Sequence, residues 1–326
     1  MIITRTPYRI SFFGGSTDYP AYYREHGGCV LGTTIDKYCY LFLRRLPPFF
    51  EHKHRIVWSE IELVGDIGEI HHPLVRETYR MMGVADGLEL HHEGDLPART
   101  GLGTSSAFTV GLLQCLYALK GQMPAKMQLA KDAIHIEQDA LAQNVGCQDQ
   151  VWAAFGGFNR IDFMPDDSII VNPVILKAER VKELESHLML LFTGFARNAS
   201  DVAAEQVRET PNHHSELSEM CDMVHCGQYI LTSQTDIREF GKMLNRSWQI
   251  KRRLSTAISN DSIDALYSKA LENGADGGKL LGAGGGGFLL IFARPEVQPQ
   301  IKETLGLLHV PFHFERGGAQ VIVYDP

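Results

Sequence analysis

Pro97-Ala98-Arg99-Thr100-Gly101-Leu102-Gly103-Thr104-Ser105-Ser106-Ala107 joins a strand-like segment, Gly87 to Glu93, to an apolar helical segment, Phe108 to Leu119. Leu88 and Leu90 alternate with Glu89 on the way in, the pattern of a half-buried strand. Gly101 and Gly103 let the backbone bend tightly and present its N–H groups. Thr104, Ser105 and Ser106 place hydroxyls where the helix begins. A helix N-terminus with free N–H groups and small polar side chains is an anion site, and phosphate is the usual anion. Taken alone, the stretch fits an ordinary capped helix start equally well.

Working outward, the chain has 326 residues, 44% of them hydrophobic and 21% charged, enough for two domains with real cores. A formal net charge of -8 and the lack of a basic stripe argue against a nucleic-acid partner. Six scattered cysteines without a CxxC pattern suggest a reduced, cytoplasmic protein. Met1 to Arg9 lack the apolar core of a signal peptide, and no apolar run approaches a membrane span.

Toward the N-terminus, Ile2 to Thr4 and Arg9 to Phe13 read as strands, followed by the turn Gly14-Gly15-Ser16-Thr17-Asp18-Tyr19. Cys29 to Arg44, Arg55 to Trp58 and Glu60 to Val64 are further strands, and Pro73 opens a short helix. Lys126 to Ala142 is the clearest helix, with Ala130, Ala133, Ile134, Ala140 and Leu141 on one stripe. Glu137 shares that stripe, and a carboxylate on a burying face is costly unless it is paired or binds a metal. Cys147-Gln148-Asp149-Gln150 follows, then strands at Phe158 to Phe163 and Ser168 to Val171. The second half carries a buried-type strand, Leu188 to Phe192, then helical stretches that include Ile237 to Leu244 and Trp248 to Ile258. A glycine loop and strands from Phe288 and Gln320 close it. Strands and helices mix without strict alternation, so two α+β units fit better than one doubly wound sheet; we divide them as 1–180 and 181–326.

Gly282-Ala283-Gly284-Gly285-Gly286-Gly287 formally matches G-x-G-x-x-G, yet it follows a helix-like segment and opens a strand. A dinucleotide fingerprint needs the reverse order. Close approach of another backbone or a ligand explains the glycines better. Gly274 to Leu280 is not a phosphate-binding Walker motif and reads as a flexible turn. The pairs His71-His72, His91-His92 and His213-His214 put neighbours on opposite faces, so solvated histidines are the default. Asp18, Glu137 and Asp149 each suit a cap or a surface role when taken singly. Together with two glycine loops and Ser105/Ser106 they form a phosphoryl-transfer inventory.

Three segments in order resemble the motifs of the GHMP kinases: Thr6 through Tyr19, Pro97 through Ala107, and Lys279 through Phe288. Within that family the likeness is to heptose 7-phosphate kinases, through Arg9-Ile10-Ser11-Phe12, Gly146 to Gln150, Thr193 to Ala199, and Trp248 with Lys251. Galactokinases have Gly-Glu-His-Thr-Asp where this chain has Gly14-Gly15-Ser16-Thr17-Asp18, which speaks against galactose. Ser16 departs from the heptokinase pattern Gly-Gly-Gly-Thr-Asp.

The resemblance implies an N-terminal half like domain 2 of ribosomal protein S5, a ferredoxin-like C-terminal half, and ATP with Mg²⁺ as cofactors. It implies that Pro97, Arg99, Gly101, Leu102, Gly103, Thr104, Ser105 and Ser106 hold nucleotide. Ser105 or Ser106 would join Glu137 on the metal. Asp149 would be the catalytic carboxylate with Arg9 beside it. Gly14, Gly15, Ser16, Asp18, Gly284 and Gly285 would shape the substrate site. Arg197 and Lys251 are the candidate cations for a sugar phosphate. The implied reaction is phosphorylation of the anomeric hydroxyl of a heptose 7-phosphate. A C1 kinase of a free sugar, such as L-fucose, and a non-catalytic homologue are the alternatives, and a homodimer is left open.

Overall fold

The computed structural model describes residues 1–194 and 199–326. Among them the strands form two sheets, of nine and four strands, with helices packed on both. The large sheet runs Gln320–Tyr324, Ile2–Phe13, Gly28–Arg45, Leu88–Gly94, His54–Val57, Ile61–Val64. The near half of Gly28–Arg45 also pairs with Phe158–Phe163 and with Phe314–Glu315. The small sheet is antiparallel throughout: Leu308–Val310, Leu188–Phe192, Phe288–Ala293, Ala275–Leu280. This α+β two-sheet architecture is the one the resemblance implies.

Several elements differ from their sequence reading, each for a local reason. Ile2–Phe13 is one strand rather than two, because the register shifts between Pro7 and Tyr8 and the missing proline N–H falls at the irregularity. Lys126–Ile134 is α-helical, but its continuation His135–Ala140 widens into a π turn. Arg238–Lys251 is a single helix where two were expected, and it stops at Lys251. Ala178–His187 forms a helix that the alternation of charges concealed. Ala275–Leu280 is a strand, not a turn. Its glycines admit the overlying helix: a Cβ on Gly277 would lie 2.0 Å from the Gly241 carbonyl oxygen. The last two strands return to the large sheet, so residues beyond 181 contribute to both sheets.

Thr104–Leu119 is apolar nearly all round because it is covered on both sides, by the sheet and by Lys126–Ile134 and Gln148–Phe155. Gly111 brings it close to the sheet, where Thr4 Oγ1 donates to the Gly111 carbonyl (3.2 Å). Between the two sheets lies an aromatic cluster. Phe13 and Phe12 meet Phe240 edge-on at 4.9 and 5.3 Å, and Phe240 meets Phe292 at 6.2 Å. Such pairs contribute about 0.5–1.5 kcal/mol each beyond area burial. They fix the end of the Ile2–Phe13 strand, and with it Arg9, against the small sheet.

Candidate active site

A cavity of about 750 Å³ opens between the two sheets. Its floor is the Pro97–Ala107 loop. Gly101 and Gly103 have φ of 83° and 73°, left-handed values that favour glycine. Gly103 directly precedes the helix Thr104–Leu119. Gly101, Gly103, Thr104, Ser105, Ser106 and Arg99 line the cavity. Pro97 and Leu102 do not: Leu102 is fully buried, and the Pro97 carbonyl accepts from Thr100 Oγ1 (2.8 Å).

Arg9 reaches the loop from the strand Ile2–Phe13. Its Nε and Nη2 donate to both carboxylate oxygens of Asp149, at 2.7 and 2.8 Å, and its Nη1 donates to the Gly101 carbonyl at 2.7 Å. One planar guanidinium thus fixes carboxylate and loop together, a geometry that lysine could not reproduce. Asp149 stands in the first turn of Gln148–Phe155. A Cβ on Gly103 would lie 3.4 Å from Asp149 Oδ2, so the carboxylate sits directly over the loop.

Asp18 is fully buried beside Asp149. Its Oδ1 accepts from the Ser16 backbone N–H (3.1 Å) and Gln148 Nε2 (3.0 Å), and its Oδ2 accepts from the Gln148 backbone N–H (3.2 Å). Burial first, and then the Asp149 charge, push its pKa up to about 6. Gly146 makes room for it, since a Cβ there would lie 1.9 Å from Asp18 Oδ2. Ser16 has φ 82° and spends its hydroxyl on Gln206 Oε1 (3.1 Å), whose Nε2 donates to the Ala283 carbonyl (2.7 Å). The departure from glycine at this position therefore ties the first motif to the third.

Glu137 is fully buried in the π turn. Its Oε2 accepts from Ser106 Oγ (2.9 Å) and Gln150 Nε2 (2.7 Å), while Oε1 is buried without a partner. Burial pushes its pKa up to about 7. Ser105 is exposed and lines the cavity, but it is Ser106 whose hydroxyl bonds Glu137.

The third glycine loop packs on the first by backbone contact. Cβ atoms on Gly282 and Gly287 would lie 2.4 Å from Gly101 Cα and 2.3 Å from the Thr100 carbonyl oxygen. Gly284 and Gly285 do not line the cavity. They lie against Ile258, whose carbonyl accepts from the Gly285 N–H (2.9 Å). Gly14 likewise faces the Cys29 carbonyl, at 1.9 Å from a notional Cβ, whereas Gly15 does line the cavity.

Lys251 lines the cavity and donates to the Gly282 carbonyl. Burial, and then the Arg9 charge, bring its pKa down to about 8. Arg197 lies outside the described residues. The structure adds residues that the sequence reading passed over. Lys279, two per cent exposed, also lines the cavity. At the other end, His72 stacks on Phe108 (4.9 Å) and meets Trp58 edge-on (4.9 Å), with His92 edge-on to Phe108 (5.0 Å). His72 and His92 are therefore packed, half-buried side chains rather than freely solvated ones. Burial brings the His72 pKa down to about 4 and lowers that of His92.

Comparison with known proteins accords with this geometry. The description "GHMP kinases N terminal domain" matches residues 70–157, and "GHMP kinases C terminal" matches residues 230–306. A D-glycero-alpha-D-manno-heptose 7-phosphate kinase of Campylobacter jejuni is 31% identical over 310 residues, covering 90% of each chain. A bifunctional fucokinase/GDP-fucose pyrophosphorylase of Arabidopsis thaliana is 24% identical over 88% of this chain and 29% of its own. A solved structure of a D-glycero-D-manno-heptose 1-phosphate kinase from Bacteroides thetaiotaomicron superposes with a TM-score of 0.81 over all of both chains, at 23% identity, a likeness of fold. The chain belongs to the GHMP kinase family, and so to the ATP-dependent phosphotransferases that act on alcohol groups. Among the described residues no helix is long and apolar enough to cross a membrane.

Proposed function

We propose that the chain is a sugar kinase that transfers the ATP γ-phosphoryl group to the anomeric hydroxyl of a heptose 7-phosphate, giving the 1,7-bisphosphate. The observation that carries this reading is the bidentate Arg9–Asp149 pair over the anion-binding loop. The Campylobacter jejuni relative supports the choice of sugar. Asp149 accepts a hydrogen bond from the attacking hydroxyl and takes its proton as the bond to phosphorus forms. Arg9 holds the carboxylate at the loop and places positive charge beside the transferring group. The N–H groups at the start of Thr104–Leu119 face the phosphates. Asp18 accepts from acceptor hydroxyls, and Trp58, His72 and Phe108 offer an aromatic wall to the nucleobase.

Ser106 Oγ and Glu137 Oε1 would hold Mg²⁺. The orphaned, buried Oε1 fits this role. Magnesium binds through one or two carboxylates plus phosphate and water. An ion held there would supply charge neutralisation for the phosphates. Units 1–180 and 181–326 would supply the two walls of the cleft, in a cytoplasmic enzyme of nucleotide-activated heptose and surface-glycan synthesis.

Transfer to C1 of a free sugar is the second reading, favoured by the fucokinase relative. ADP release with a heptose 7-phosphate, the same heptose without its phosphate, and L-fucose separates the two, with NMR of the product. The expected kcat/KM for the phosphorylated sugar exceeds that of the others by at least about 10²-fold, the loss when buried charged partners go unmet. Equal turnover of the free sugars would overturn the heptose 7-phosphate assignment. No ADP release with any of them would leave a non-catalytic homologue.

A further inference from the structure

Lys279 has no assigned part in the reaction above. It stands on Ala275–Leu280, nearly inaccessible, yet it lines the cavity beside Lys251. An ammonium group has three N–H donors. Among the described residues Lys279 Nζ has one acceptor, the Phe12 carbonyl at 2.9 Å, and Lys251 Nζ has one, the Gly282 carbonyl. Neither lysine forms an ion pair among the described residues, whereas Arg9 is fully engaged by Asp149 and Gly101. Two buried ammonium groups with spare donors on one wall are costly unless an anion joins them. A single bound carboxylate or hydroxyl would leave donors unmet; a phosphate monoester dianion, with three acceptor oxygens and two charges, matches the pair.

We infer that Lys251 and Lys279 together form the receptor for a phosphate monoester dianion carried by the acceptor sugar, so that Lys279 is a specificity-determining residue. The inference rests on the heptose 7-phosphate reading and gives its phosphate a place in the fold. The charged groups around the pair are Arg9 on Ile2–Phe13, Asp18 in the first-motif turn, and Asp149 on Gln148–Phe155, and Tyr19 lines the same cavity. Burial, the Lys251 charge and the Arg9 charge hold the Lys279 pKa well below its ordinary value. A dianion between the lysines reverses that, so its binding draws protons from solution.

The test is calorimetry with the intact protein at pH 8, in two buffers of different ionisation enthalpy. The ligands are the heptose 7-phosphate, the free heptose, and AMPPNP with Mg²⁺. Wild type is expected to take up about one proton with the phosphorylated sugar and almost none with the free one. Lys279→Met keeps the volume of the side chain and removes its charge. It is expected to weaken the phosphorylated sugar at least about tenfold, the worth of a charge-assisted bond, and to lose part of the uptake. Its affinities for the free sugar and AMPPNP are expected to move less than about twofold. Lys251→Gln, checked for folding by the same AMPPNP binding, is expected to behave alike. A loss falling on AMPPNP instead would assign the pair to the nucleotide and overturn the inference. So would an unchanged preference and proton uptake in both variants. Equal binding of the two sugars by wild type would defeat the heptose 7-phosphate reading itself, a different result.

Discussion

Asp149 takes two hydrogen bonds from one guanidinium, and this divalent hold distinguishes it from the other carboxylates of the cavity. Replacing it with asparagine keeps the size of the side chain but removes a proton acceptor. We predict that Asp149→Asn lowers kcat by at least about 10²-fold, the low end for acid–base catalysis. Its AMPPNP affinity should stay within about threefold of wild type, because the loop amides are untouched. Turnover near wild type in a coupled assay would remove Asp149 from its role. At this scale the sequence singled out Arg9, Asp18 and Asp149 by motif and Glu137 by its place on an apolar helix stripe, and the structure places all four at the cavity. The sequence could not choose between Ser105 and Ser106, since helix phase decides which hydroxyl faces Glu137 and the phase depends on where the helix starts. It hid the place of Lys279 in the cavity, because Gly277 and Gly278 inside its strand look like turn residues until Gly277 is seen to meet the overlying helix and Gly278 the neighbouring strand.

Two elements of the proposed phosphate site touch backbone to backbone: the loop that opens Thr104–Leu119 and the glycine loop before Phe288–Ala293. Gly282 combines φ 76° with a contact of 2.4 Å to Gly101 Cα, so an added methyl group displaces the loop as well as straining its own residue. Gly121 has φ 66° and open space around its notional Cβ. Gly121→Ala should therefore cost about 1 kcal/mol, the left-handed strain alone. Gly282→Ala should cost about 2 kcal/mol or more and weaken AMPPNP at least about tenfold. Urea denaturation and titration with AMPPNP read both, and equal effects at the two sites would contradict the backbone contact. The glycine run announced a close approach in the sequence, but not its partner, which is 181 positions away. The π turn was equally hidden: the stripe through Glu137 reads as an unbroken helix, whereas in the structure the turn that widens is the one whose Glu137 accepts from Ser106 and Gln150.

For the molecule as a whole, the cavity holds carboxyl groups whose pKa folding raises. Asp18 has its pKa raised from 3.8 to about 6, so the native state keeps a proton that the unfolded chain releases. Its contribution to stability is present below about pH 4 and is lost as pH rises toward 6. Asp18→Asn has no proton to lose. Its stability relative to wild type should therefore improve between pH 4 and pH 7, by up to about 2–3 kcal/mol for a shift of this size. Denaturation of the ligand-free protein at the two pH values measures it, and a difference that does not change with pH would refute the buried, protonated state. The two-sheet plan was legible from the mixture of strands and helices, and the motif order gave the cleft. The return of Gln320–Tyr324 to the first sheet was not legible, since an apolar strand carries no address for its neighbour.

That return has a consequence for how the protein comes into being. The strand that carries Arg9 leaves the ribosome long before Gln320–Tyr324, and it can pair at once with Gly28–Arg45. Its other edge stays open until Gln320–Tyr324 arrives, about 300 residues later. An open edge beside an apolar strand invites pairing with another nascent chain. The protein's exposure to misassembly is therefore set by the time of synthesis rather than by the stability of the finished fold. The pairing of the two strands is extended past Ile2 by the Asp325 N–H, which donates to the Met1 carbonyl at 2.9 Å.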